Sequence, residues 1–302
     1  DWEGLLRLRD RSRAAVITGR QLWPAATLAE YRLALWADPP WAAAVLDEES
    51  GRFTIGPLTE VAAQRHSFAS LRPHLTHGPR ATFVAHERVL RGEVIDDTAD
   101  LVDALELPLV LEAWEPEYCV AEYSDDGFDA PPPDLPAAVR TELPPARTPM
   151  PDPDVELAVR QLVEAWTASS NGHAEVLCVE ADAPSAIASL GLRAARIAPI
   201  TPGDAMRWLA WAGASGGAMA RRRGGAAGRF GAWWTAAALV GLTPDDEGQE
   251  WPPDPDELGS AIAELRWFWW HADEPVAGWE LQLAIEDPVD GLAWAINARD
   301  EK

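Results

Sequence analysis

A chain of 302 residues with 49 acids against 25 bases carries a net charge of −24. That balance argues against duplex nucleic acid as a general partner, because such binding needs a basic footprint that releases counterions, and against anionic bilayers. It predicts solubility.

Hydrophobic residues make up 47% of the chain, enough for a sizeable core. The length allows two domains of about 100 to 200 residues each. No apolar run approaches the roughly 18 to 20 residues of a membrane span. The most apolar stretch, GAWWTAAALVGL at 231–242, reads as a buried helix. Cys119 and Cys178 are far apart and lack CxxC spacing, so both are expected to be ordinary thiols in a cytoplasmic protein. Arginine outnumbers lysine 24 to one, as a GC-rich genome would dictate without any need for phosphate recognition. A start at Asp1, without Met, predicts that the translational start lies upstream.

Apolar residues at helical spacing predict a helix from Trp2 to Val16 and a second from Trp23-Pro24 to Trp36, stopped by Asp38-Pro39-Pro40. Shorter helices are expected at 41–46, 57–66, 68–75 and 79–91. Short helices joined by Pro and Gly turns suit stacked helical hairpins. Residues 107–123, LPLVLEAWEPEYCVAEY, hold β-formers and predict a strand or extended arm, closing a mainly helical domain of residues 1–123. Residues 124–154 carry nine prolines and seven acids and read as a linker or a surface strap.

From 155 to 302 the pattern is α+β, and α+β is the fold class expected for the chain. A helix is predicted at 155–169, a strand at 175–180, a helical turn at 184–190, a strand at 193–199 and a helix from Pro202. Strands at 265–271, 279–286 and 291–298 alternate as an antiparallel meander, with helices expected on one face. In LRWFWWH, Trp267 and Trp269 fall on one face of a strand and Phe268 and Trp270 on the other. Both faces are then covered, or one of them binds.

SGGAMARRRGGAAGRFGAWW, at 215–234, is the candidate surface. If 216–239 is one helix, Arg221, Gly225, Arg229 and Trp233 form a stripe, with a ridge of small residues (Ala220, Gly224, Gly228, Ala232, Ala236) beside it. Two guanidiniums across a glycine suit a carboxylate or phosphate held bidentately. At most two of Arg221, Arg222 and Arg223 can face one partner, since successive helical residues turn by about 100°, and Arg229 is expected to join Arg221 or Arg222. Three readings stay open: internal ion pairs with the acids at 245–257, a protein-partner surface, or a small anionic ligand. Walker and dinucleotide-binding fingerprints are absent. His74, His77 and His86 could bind a metal but read better as surface or capping histidines, and no GxSxG elbow occurs.

The stretches ASGGAMARRRGGAAGRFGAWWTAAAL and RWFWWHADEPVAGWELQLAIEDPVDGLAWAINARDEK, with QLWPAATLAEYRLAL, GRFTIGPLTEVAAQRHSF and VAHERVLRGE, resemble an actinobacterial family of unknown function. The resemblance covers nearly the whole chain and implies a taxonomic setting but no catalytic residues. No catalytic residue, cofactor or metal is assigned. The expected role is binding or scaffolding in a protein assembly, through a protein partner or self-association, without nucleic acid or membrane insertion. The alternative is an enzyme or binding protein for a small anionic ligand. Arg221, Arg222, Arg229 and Trp233 are the candidate surface residues.

Overall fold

The computed structural model describes residues 1–47, 50–76, 78–96, 101–102, 104–244, 248–272 and 278–301. No helix among them is long and apolar enough to cross a membrane. Two compact units are present, one of Asp1–Leu111, Val120–Pro131 and Arg222–Ala226, the other of Glu112–Cys119, Pro132–Arg221 and Ala227–Lys302.

The first unit is helical. Helix α1 (Trp2–Ile17) is capped by Asp1, whose carboxylate accepts from the Gly4 N–H at 2.9 Å. Helix α2 (Trp23–Trp36) opens with Pro24 in its first turn, where no N–H is needed. It is followed by α3 (Pro39–Ala43), α4 (Leu58–Ala63), α5 (Phe68–Leu71) with a 3-10 turn at Arg72–His74, and α6 (Pro79–Val89). Leu33, Leu35, Val61, Phe68, Leu71 and Val84 belong to one buried core. The arm expected at 107–123 is strand only at β1 (Glu122–Tyr123), which pairs with β2 (Phe128–Asp129). Pro108 and Pro116 remove the donors that a longer ladder would need. Tyr31 fixes this hairpin by donating to the Ser124 carbonyl at 2.5 Å.

A six-stranded antiparallel sheet organises the second unit. Its strands are β3 (Val139–Glu142), β4 (His173–Val179), β5 (Ala194–Ile200), β6 (Arg266–His271), β7 (Gly278–Asp287) and β8 (Leu292–Glu301), in the order β3-β5-β6-β7-β8-β4. The meander β6-β7-β8 forms its centre, as the alternation in WELQLAIE and GLAWAINA predicts. Strand β3 comes from the proline-rich stretch and sits at an edge, where missing donors are tolerated. The Trp269 indole donates to the Pro136 carbonyl at 2.8 Å, and Met150 bridges Cys178 of β4.

Helices α7 (Pro153–Leu162), α8 (Glu164–Ala168), α9 (Ala183–Ser189), α10 (Pro202–Ala214), α11 (Gly225–Leu239, from Ala227 onward) and α12 (Pro255–Glu264) complete the second unit. They cover both faces of the sheet rather than the one expected. On one side Ala183, Ala186 and Ile187 of α9 share a core with Trp270, Ala284, Ala293 and Ala295. On the other, Trp208 of α10 meets Trp269 edge-on at 6.2 Å, and the Trp267 indole donates to the Ile262 carbonyl of α12 at 3.0 Å. A strand with aromatic side chains on both faces needs a partner layer on each.

Candidate functional site

Helix α11 begins at Gly225, so Arg221, Arg222 and Arg223 precede it, and the stripe expected to run from Arg221 to Trp233 is not one helix face. Local backbone explains the late start. Gly217 and Gly224 have φ of +64° and +101°, outside the helical region. A Cβ at Gly216 would meet the Ala220 carbonyl at 2.3 Å, so this tight loop requires glycine. The ridge of small residues survives from Gly228 onward. A Cβ at Gly228 would lie 2.2 Å from the Ala210 carbonyl, which shows how closely α10 approaches.

Arg222 is buried in the first unit. Its Nε and Nη2 donate to Glu60 Oε2 and Oε1 at 2.9 and 2.8 Å. The same carboxylate accepts from the Tyr123 hydroxyl at 2.5 Å and the Gly225 N–H at 3.1 Å. Burial alone would raise the Glu60 carboxyl, but the Arg222 charge and these donors hold it below its ordinary value. Beside it lies Glu87, also buried, whose Oε1 accepts from the Ala226 N–H at 2.9 Å while Oε2 has no hydrogen-bond partner among the described residues. Burial, reinforced by the negative Glu60, pushes Glu87 up to about 8. One carboxyl of the pair is therefore ionised and the other neutral near pH 7, because two buried like charges repel.

Arg229 is fully buried in the second unit and donates to Glu115 through Nε at 2.8 Å and Nη2 at 2.6 Å. The Trp233 indole and the Tyr118 hydroxyl each reach Glu115 Oε1 at 2.8 Å, and the Glu112 N–H reaches Oε2 at 3.0 Å. Burial opposes ionisation of Glu115, but Arg229 and the Trp233 donor keep its carboxyl low. Trp233 packs on Trp114 with ring centroids 5.0 Å apart. Both oxygens of the Glu115 carboxylate are thus engaged.

The structure thus brings Arg229 and Trp233 together around Glu115 and seats Arg222 on Glu60, whereas Arg221 and Arg223 are exposed. The acids expected as partners lie at 245–257. Of these, Asp245, Asp246 and Glu247 fall outside the described residues, and Asp254 caps α12 by accepting from Asp256 and Glu257. Sequence reasoning missed Glu60, Glu87 and Glu115. The available signal was an acid inside an apolar helical run, as Glu60 is in LTEVAA. His77 also lies outside the described residues. His74 sits in the 3-10 turn and His86 is buried on α6. Among the described residues, no three His, Cys, Asp or Glu side chains group as metal ligands.

A different surface stands out on the first unit. After α1 the chain turns through Gly19 at φ +84° into α2, leaving Ile17 86% exposed, Leu22 42% and Trp23 44%. Phe53, 55% exposed, lies against Trp23 with ring centroids 5.1 Å apart. The Arg52 guanidinium stands 5.3 Å from the Phe53 ring centroid, and Arg20 occupies the turn itself.

The model of a family of unknown function (DUF6183) matches the chain over residues 1–302. No curated protein and no solved structure matches it.

Proposed function

We propose that this chain, which belongs to the DUF6183 family of unknown function, is a binding or scaffold component of a protein assembly. A protein partner docks on the face formed by Ile17, Leu22, Trp23 and Phe53. The observation that carries the reading is the exposed Trp23–Phe53 ring pair, preceded in the chain by the exposed Ile17 and Leu22. Fully burying one such side chain contributes about 1.5 to 3 kcal/mol, so leaving several in water is costly unless a partner covers them. The setting we favour is the cytoplasm, in keeping with two cysteines distant in sequence. A small carboxylate or phosphate on Arg221 and Arg229 finds less support, because Glu115 already holds the buried Arg229 guanidinium.

Affinity capture from a native lysate tests this reading, with the full chain compared against a Trp23→Ala/Phe53→Ala variant. Both side chains are half-exposed, so the variant keeps its fold. The expected result is a partner recovered by the native chain and lost by the variant. Failure to recover any partner, or equal recovery by both, refutes it.

A further inference from the structure

The face around Trp23 carries the exposed Arg20 and Arg52 beside its apolar side chains. Residues 11–29 contain three arginines and no acid, and residues 50–59 contain one arginine and no acid. Each stretch is bounded by acids, the first by Asp10 and Glu30 and the second by Glu49 and Glu60. The fold places these two acid-free segments next to each other through the Trp23–Phe53 ring contact. Glu48 and Glu49, which precede the second segment, lie outside the described residues, and Asp47 is engaged by Arg9 and Arg13. Arg13 also bonds Ser50, whereas Arg20 and Arg52 are exposed and pair with no carboxylate among the described residues.

We propose that this face receives an acidic peptide segment of a partner protein, one that carries large apolar side chains between its carboxylates. The inference rests on the docking reading above and names the chemistry of the partner. Apolar anchors of the peptide cover Trp23, Phe53 and Ile17, while its carboxylates meet the guanidiniums of Arg20 and Arg52. Arg52 is held over an aromatic ring, which leaves the edge of its planar fork available to a carboxylate. A short peptide feels mainly the local positive field, because salt screens charges beyond about 8 Å at physiological ionic strength. An anionic bilayer is an extended surface that faces the whole chain of net charge −24, and its repulsion disfavours adhesion.

Selection of a random peptide display library against the immobilised full chain tests the proposal. The enriched sequences should combine Asp or Glu with Leu, Ile, Phe or Trp. Their affinity should fall with added salt, and an Arg20→Glu/Arg52→Glu variant should weaken binding by at least about tenfold. Both arginines are exposed, and circular dichroism of the variant verifies that the fold is kept. Enrichment of uncharged or basic peptides, no enrichment, or binding indifferent to the double charge reversal would each overturn the proposal. So would binding of phosphatidylserine vesicles that the same variant abolishes, since the face would then be a lipid surface. If the Trp23→Ala/Phe53→Ala variant loses its lysate partner while the charge-reversed variant retains it, docking stands and the acidic partner falls.

Discussion

Replacing Glu87 by glutamine tests whether the buried Glu60–Glu87 pair holds a proton. The folded chain raises Glu87 from 4.5 to about 8, so over that window the folded state binds a proton that the unfolded chain has released. Stability from this group is fully present below the unfolded value, declines as pH rises and is gone above the folded value. At about 1.4 kcal/mol per unit, the span of roughly 3.5 units corresponds to about 5 kcal/mol, of which about 4 falls between pH 5 and 8. Glu60 is lowered, so its contribution is present above its ordinary value and lost only at more acid pH. The Tyr123 hydroxyl and the Cys178 thiol are raised and act above the window. His66 is lowered by burial, so its contribution is present above its ordinary value and lost as pH falls below it. That opposing slope is common to both proteins and cancels in their difference. In Glu87→Gln the neutral amide keeps the acceptor for the Ala226 N–H and removes the titrating group. Urea denaturation at pH 5, 6, 7 and 8 should show the variant gaining on the native chain with each step. Hydrogen exchange at the Ala226 amide localises the effect. Stability curves that run parallel across the window would refute the shared proton.

Breaking the buried pair by Arg229→Ala should destabilise the second unit by about 3 to 5 kcal/mol, because Glu115 is left charged and buried. Replacing both partners, as Arg229→Met with Glu115→Leu, should recover much of that in urea denaturation. The exposed Arg223→Ala should change stability by less than about 1 kcal/mol in the same assay. Gly228→Ala, which sets a methyl 2.2 Å from the Ala210 carbonyl, should cost about 1 to 3 kcal/mol and lower the melting temperature. An unchanged melting temperature would mean that α10 and α11 separate easily.

The α+β class and most element positions follow from local chemistry that a single sequence displays. Pro24, Pro79 and Pro202 open helices because a first turn needs no N–H, and Asp182 and Asp254 cap because their carboxylates reach free amides. Period-two alternation and turn residues marked β7 and β8 to within three residues at either end. The arginine stretch followed other rules. Its helix starts late because Gly217 and Gly224 adopt positive φ, a choice that glycine permits but its presence in a sequence does not dictate. Arg222 and Arg229 look alike in sequence to Arg221 and Arg223, yet two are buried and two exposed. Their carboxylates come from 162 and 114 positions away, whereas the acids nearest in sequence suggested a local answer. The exposed face at Trp23 likewise exists only because packing brings residues 50–59 against the start of α2. Capping and alternation are settled among residues a few positions apart, so the sequence carries them. Which charge is buried, and against which partner, depends on contacts between distant segments, where the cost of desolvation is decided by everything packed around the pair.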